Sequence, residues 1–326
     1  MNIPVARFRF SLSSVDSLHL PAYKGSTFRG GFGRAFKRVV CVTRNRICEE
    51  RMLQKRCIYA YVFETPIPPE ARVMRGYEKA PHPFILEPPL ETKQLYTPDE
   101  ELDFSLVLVG KVIDYLPYFI YTFQSLGSLG IGRGSGRFTL NKVRSLVDTA
   151  HDDAIYSSDT EVLRPFKWQA LSIGKTLETP VAPPLITLRF ITPTRIMYRG
   201  KLLFELDFQT LIINLLRRLA LLAYFHCGGN PQEEIPFVDL IEKAGAVNVN
   251  DRSLKWYDWE RYSNRQDTRM KLGGFVGTIT FEGDLSPFMP YIQAGEILHV
   301  GKGTSFGLGK YKIELINKNS QDNDVL

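Results

Sequence analysis

Residues 295–314 read Gly295-Glu-Ile-Leu-His-Val-Gly301-Lys302-Gly303-Thr-Ser-Phe-Gly307-Leu-Gly309-Lys310-Tyr-Lys-Ile-Glu, and four glycines fall within the nine residues from Gly301 to Gly309. Glycine takes positive φ without a Cβ penalty and lets the backbone approach a bulky partner closely. Successive N–H groups in such a loop form an anion-binding concavity. Lys302 and Lys310 add positive charge on either side, and Thr304 and Ser305 add hydroxyls between them. The chemistry indicated is capture of a phosphate chain, with a glycine-rich hairpin that only turns a corner as the bland alternative.

The familiar phosphate loops do not fit. Gly301-Lys302 is followed by Gly303, where a nucleotide P-loop needs Ser or Thr and then a helix, and Phe306 stands where a dinucleotide fingerprint needs its third Gly. The loop runs on into the alternating pattern Lys310-Tyr311-Lys312-Ile313-Glu314-Leu315-Ile316, which predicts a strand.

A second copy lies upstream. Gly134-Ser-Gly136-Arg137-Phe138 matches Gly307-Leu-Gly309-Lys310-Tyr311 at an offset of 173 residues, close to half the chain, and Arg133 precedes it. Internal similarity at a fixed offset is the signature of a repeated unit. Each half also opens alike: Val5-Ala-Arg-Phe-Arg-Phe-Ser-Leu precedes a helical segment from Thr27 to Val40, and Leu185-Ile-Thr-Leu-Arg-Phe-Ile precedes one from Phe208 to Phe225. Two α+β domains are expected, with helices on one face of an antiparallel sheet, in tandem ferredoxin-like (RRM-like) form. Each carries a glycine-rich loop before its last strand. The expected boundaries are 1–150 for the first domain, 151–180 for a linker marked by Asp152-Asp153, Ser157-Ser158 and Pro180, and 181–326 for the second.

A chain of 326 residues with 44% apolar content suits two buried cores. The apolar runs, such as Leu219-Ala-Leu-Leu-Ala-Tyr-Phe beside Arg217-Arg218, look too interrupted to span a bilayer, and Arg7 and Arg9 spoil any signal peptide. A cytoplasmic location with no membrane partner is the expectation. Net charge is +6, but residues 1–60 hold twelve Lys or Arg against three acids, a balance of +9 that leaves −3 for the rest. Arg34, Lys37 and Arg38 are spaced to share a helix face with Arg29 nearby, and Arg44, Arg46, Arg51, Lys55 and Arg56 extend the patch. A polyanion-binding surface is implied, and nucleic acid is the leading partner. The 21 Phe and 15 Tyr allow base stacking, although most such rings build cores.

Cys41, Cys48 and Cys57 cluster after the basic helix, while Cys227 lies far away. Three close thiols suggest zinc, which wants four ligands that Cys227 or His82 could complete only through the fold. Free buried thiols are the preferred reading, and no metal or other cofactor is expected.

Three stretches carry a family resemblance: Trp259-Glu-Arg261-Tyr262-Ser263-Asn-Arg265-Gln266, Gly273-Gly274-Phe-Val-Gly277, and His299 through Gly309. They resemble the CRISPR-associated endoribonucleases that process precursor crRNA, within the repeat-associated RAMP superfamily. Leu20-Pro21-Ala-Tyr23-Lys-Gly25-Ser-Thr-Phe-Arg29-Gly30-Gly-Phe-Gly33, Cys57 to Glu64 and Pro81 to Leu86 fit the same family. The resemblance implies tandem ferredoxin-like domains, CRISPR repeat RNA or crRNA as partner, and other CRISPR effector subunits as further partners. Two departures stand out. Relatives often carry C-x6-C-x2-C-x5-C, but Arg51 occupies the third cysteine position here, and many relatives place a catalytic His on the first helix where this chain has Arg29.

The chemistry the resemblance implies is metal-independent RNA cleavage. The 2′-OH attacks the adjacent phosphate, leaving a 2′,3′-cyclic phosphate and a 5′-OH. That requires a base, an acid and cations, and His titrates in the right range. His19 and His299 are the histidine candidates; His226 reads as a helix C-cap, and His82 and His151 are weaker. Tyr23, Lys24 and Arg29, close to His19, could position the 2′-OH and stabilise charge. Lys302, Lys310, Arg133 and Arg137 are better placed to hold the RNA backbone. The alternative is a non-catalytic crRNA-binding subunit of a CRISPR effector complex. A metal-dependent nuclease is disfavoured because no compact carboxylate cluster stands out.

Overall fold

The computed structural model describes residues 1–42, 56–74, 79–147, 154–173, 184–258, 260–263 and 268–315. Arg44, Arg46, Cys48, Arg51, Lys55, His151, Trp259, Arg265 and the polar stretch after Ile316 lie outside these residues.

Strand β1 (Asn2–Ser14) has apolar residues on both faces. Ala6, Phe8, Phe10 and Leu12 face the helices of the first half, while Ile3 and Val5 enter a different core. After the short β2 (Leu18–His19), helix α1 (Gly25–Val40) buries Phe28, Phe32, Ala35 and Phe36, the spacing of a single helical stripe. Then come β3 (Phe84–Glu87), β4 (Leu95–Tyr96), β5 (Glu101–Val109), α2 (Leu116–Leu129), β6 (Phe138–Ser145), β7 (Ala154–Ser157) and β8 (Gln169–Ser172). Phe32 stacks on Phe119 of α2 at 4.9 Å, which fixes the two helices side by side.

The second half repeats the plan with β9 (Leu185–Thr194), the hairpin β10 (Met197–Tyr198) and β11 (Lys201–Leu202), and α3 (Phe208–Leu222). The one-turn α4 (Pro231–Glu234) and α5 (Phe237–Ala244) come next. The long β12 (Asn248–Tyr257) and β15 (Gly274–Glu282) flank the hairpin β13 (Glu260–Ser263) and β14 (Thr268–Lys271), and α6 (Met289–Leu298) leads to β16 (Tyr311–Leu315). Asp207 caps α3, accepting from the Thr210 N–H at 2.7 Å.

The sheet orders are β3-β5-β1-β6-β7 and β12-β15-β9-β16, antiparallel throughout. Counting four core strands per half in chain order, both sheets run 4-1-3-2. That is the ferredoxin-like arrangement, met twice. Helix α1 starts two residues before the expected Thr27, and α3 continues as a wider π-type turn, Ala223–Cys227. Phe208–Cys227 is long and apolar enough by composition to cross a membrane, but Leu211, Leu215, Leu216, Leu219 and Leu222 are buried in the core. Two strands fall within the stretch expected as linker: β7 pairs with β6, and β8 pairs with the start of β1.

The two halves share a core. Ile3, Val5, Ile85, Val107 and Val109 of the first sheet cluster with Ile186, Leu188, Leu211, Leu215 and Ile292 of the second half. His226 crosses the same boundary. It does not cap its helix through the side chain: Nε2 faces the Pro81 carbonyl at 2.7 Å and Nδ1 the Tyr61 hydroxyl at 3.3 Å, while Gly228 ends the helix at φ +72°. Burial holds the His226 imidazole down at about 4. A histidine held below its ordinary value takes its proton more readily when unfolded, so acid favours unfolding. Stability should therefore fall as pH drops from about 6.5 toward 4, by roughly 1.4 kcal/mol per pH unit from this residue. Thermal melts between pH 7.5 and 4.5 check this, and His226→Gln should lower stability at pH 7.5 but shallow the acid slope by about one proton.

Candidate nucleic-acid interface

The glycine loops occupy equivalent places, one between α2 and β6 and the other between α6 and β16. In the first, the Ile131 N–H donates to the Gly136 carbonyl at 2.9 Å and the Arg133 N–H to the His19 carbonyl at 2.9 Å. In the second, Val300 donates to Gly309 at 3.0 Å and Lys302 to the Arg195 carbonyl at 2.9 Å. Arg133 thus corresponds to Lys302 and His19 to Arg195. Gly132 (φ +77°) and Gly301 (φ +81°) explain the need for glycine: a Cβ would lie 2.2 Å from the His19 oxygen in one loop and 2.4 Å from the Arg195 oxygen in the other. The second loop is longer, and the extra length forms a 3-10 turn, Thr304–Phe306.

That turn docks on the first half. The Tyr23 hydroxyl donates to the Phe306 carbonyl at 2.8 Å. Arg29 of α1 donates from Nε to Ser305 Oγ at 2.9 Å, and its guanidinium lies between the rings of Phe63 at 4.5 Å and Phe306 at 4.4 Å. Arg29 Nη2 also lies 2.8 Å from His82 Nε2, which is itself 3.0 Å from the Phe63 carbonyl, and the His82 pKa is brought down to about 3 by burial and by the Arg29 charge. Deeper in, Glu87 at the end of β3 takes Nε2 of His299 at 2.8 Å and Nζ of Lys310 at 3.0 Å. Burial alone would raise the Glu87 carboxyl, but the hydrogen bonds and charge of His299 and Lys310 outweigh it and bring it down to about 2. His299 is fully buried, with Nδ1 3.0 Å from the Leu308 carbonyl, and burial holds its imidazole below the ordinary value against the pull of Glu87. Arg218 of α3 fastens the start of this loop, donating from Nε to the Leu298 carbonyl at 2.7 Å.

Several expected site residues therefore hold the fold. His299, Thr304, Ser305, Gly307 and Gly309 are buried, because the turn that carries them is pressed between the halves. Lys310 reaches inward to Glu87. Lys24 is buried with Nζ 2.7 Å from the Glu91 carbonyl, and burial lowers its pKa. Tyr23 is engaged by Phe306, and burial raises its pKa, so its phenolate is not available near neutrality. Arg29 is clamped rather than poised. Arg137 is exposed but forks onto Asp16 at 2.8 and 3.1 Å, and Lys37 sits over the Tyr59 ring at 5.4 Å. Cys41 and Cys57 are half-buried, and among the described residues no group of three metal-ligating side chains occurs.

The exposed remainder is small. His19, Arg34, Arg133 and Lys302 reach solvent, and Gly301 and Gly303 are half-exposed. His19 is the exposed histidine among those described, and Arg133 bridges to it. Residues 19–25 run from the first glycine loop, at His19, to the second, at Tyr23 and Gly25, and then into α1. Lys24 at the helix N-cap supplies no side-chain cap, and the first turn holds no acid. That end of the helix is buried against the Phe306 carbonyl. An exposed imidazole beside the exposed Arg133 can bind a phosphodiester and move a proton. Sequence reasoning missed Glu87 and Arg195. A lone acid closing the apolar strand Phe84-Ile-Leu-Glu87 was the available signal, since a buried carboxylate demands partners.

Comparison with known proteins agrees with this architecture. Residues 188–311 match the model of the CRISPR-associated endoribonuclease Cas6, and residues 3–167 match that of the AF_1859 N-terminal domain. An uncharacterised protein of Archaeoglobus fulgidus is 23% identical over 301 residues, covering 90% of this chain and 93% of that protein. Among solved structures, a Thermus thermophilus Cas6 superposes with a TM-score of 0.53 at 17% identity, over 96% of this chain and 99% of that one. Its product complex gives 0.56 at 17% identity, over 95% and 100%. A partial Cas6-RT-Cas1–Cas2 complex gives 0.55 at 12% identity, over 96% of this chain and 46% of that one.

The docking of the turn on α1 is testable. Gly25→Ala should favour the helix by about 1 kcal/mol on propensity. A Cβ at Gly25 would instead lie 2.1 Å from the Phe306 carbonyl. The variant should therefore be less stable by about 1–3 kcal/mol, as overpacking predicts, whereas exposed Gly30→Ala in the same helix, with open space around its Cβ position, should be stabilised. Chemical denaturation of the two variants side by side checks the sign.

Proposed function

We propose that this chain is a CRISPR-associated RNA-processing protein of the Cas6 type, and that it binds CRISPR repeat RNA across segment 19–25 and its two glycine loops and cleaves it without a metal ion. The observation that carries the reading is the pinning of that segment at both ends. It brings the exposed His19 beside Arg133 and leads directly into the N-terminus of α1.

In the proposed reaction the 2′-OH loses its proton as the O2′–P bond forms and the P–O5′ bond breaks. The leaving O5′ takes up a proton, giving a 2′,3′-cyclic phosphate and a 5′-OH. His19 is the proton-transfer residue, and Arg133 and Lys302 hold the backbone on either side. Tyr23, Lys24 and Arg29 act through the fold, by fixing the path of segment 19–25.

A second reading is a crRNA-binding subunit without cleavage. It is favoured by one observation: the first-helix position where many relatives have histidine is Arg29, clamped between two phenyl rings. Incubation with repeat RNA in excess EDTA separates the two. Product ending in a cyclic phosphate supports cleavage; bound but intact RNA supports the subunit. On the first reading His19→Ala slows cleavage by about 10²–10⁴-fold with little change in RNA affinity. Arg133→Ala and Lys302→Ala should each weaken binding and reduce the slope of log K against log salt by roughly one.

A further inference from the structure

The hairpin after β9 meets the second glycine loop at Arg195 and ends in an aromatic pair, exposed Phe204 and partly buried Trp256, that the site above does not use. Arg195 accepts from Lys302, β10 and β11 turn through Arg199-Gly200, and the Leu203 N–H closes the hairpin onto the Ile196 carbonyl at 2.9 Å. The next residue, Phe204, is 68% exposed, yet its ring is not loose. It lies 4.6 Å from the indole of Trp256 on β12, with 32° between the planes. The indole is itself fixed, because Nε1 donates to Asp258 Oδ1 at 2.9 Å and the ring packs against the second core.

Arg199 and Lys201 are exposed on the hairpin, Arg199 stands 5.2 Å over the ring of Tyr198, itself 41% exposed, and Arg252 of β12 donates to the Leu206 carbonyl at 2.9 Å. The nearby acids are engaged: Glu205 faces Arg252 at 3.6 Å, Asp207 caps α3, and Asp258 holds the indole. A fixed aromatic surface with exposed cations on the adjoining hairpin, which meets the second glycine loop at Arg195, fits a nucleobase better than an aliphatic partner. Every base has a π-face to offer, and the cations suit the backbone beside it.

We propose that Phe204 and Trp256 form a stacking platform for an unpaired base of the bound RNA, next to the backbone contacts of the second glycine loop. This rests on the RNA-binding reading above and adds to it where a single-stranded nucleotide is held. The test uses the full chain and repeat RNA carrying 2-aminopurine at each unpaired position in turn. The wild type should quench one position strongly. Phe204→Ala should lose that quench and bind about 5- to 150-fold more weakly, the range that alanine substitution of a stacking residue gives, while Phe204→Trp keeps both. Unchanged quench and affinity in Phe204→Ala, with Lys302→Ala still weakened, would overturn the platform and leave the RNA reading standing. A wild type that binds no repeat RNA removes both. Dissociation of a dimer by Phe204→Ala, with RNA affinity intact, would assign the surface to a second copy of the chain and also overturn the proposal.

Discussion

The architecture of the interface depends on one buried carboxylate. Glu87 closes an apolar strand, and its partners, His299 and Lys310, come from the other half of the chain. A buried charge deprived of its partner costs several kcal/mol, so the second glycine loop cannot lift from the first half without stranding Glu87. Holding the loop there sets its other contacts. Ser305 and Phe306 meet Arg29, Phe306 meets Tyr23, and Gly25 must lack a side chain for the helix to start against the loop. The path of segment 19–25 is then fixed at its far end, and His19 is presented at its near end.

The duplication is symmetric in backbone and asymmetric in chemistry. Gly130 in the first loop has φ +80° and ψ 161°, a region essentially reserved for glycine; His299 holds the same place in the second at φ +59° and ψ 171°. A non-glycine residue there costs on the order of 1–3 kcal/mol. The strain is offset because the imidazole bonds Glu87 and ties the halves together. Likewise, the first loop turns directly from Ile131 to Gly136, while the second carries the added turn Thr304–Phe306, which does the docking. One copy became the outward-facing loop and the other became mostly a clasp.

Much of the fold is legible in the sequence because it rests on local signals. Glycine spacing marks both loops, the Phe28–Phe32–Phe36 stripe marks α1, and the matching offset marks the repeat. The site is only half legible. His19, Arg133 and Lys302 remain at the surface as their polarity suggests, but His299, Lys310, Lys24, Tyr23 and Arg29 are drawn inward by partners far away in sequence. Nothing near Lys310 indicates that residue 87 will be an acid facing it. The strands β7 and β8 read as linker for the same reason, since four-residue strands take their register from β6 and β1 rather than from their own pattern.

The shared core also bears on how the chain is made. When the first half has left the ribosome, Ile3, Val5, Ile85, Val107 and Val109 have little cover, because nearly all their packing partners begin at Ile186 and run to Tyr311. Glu87 waits as long for His299 and Lys310. The nascent chain must therefore keep a greasy sheet face and an unpaired acid in water until nearly the last strand is translated, a state prone to aggregation and to capture by chaperones. The feature that makes the finished interface stiff is thus also what makes its synthesis a single, late-closing event.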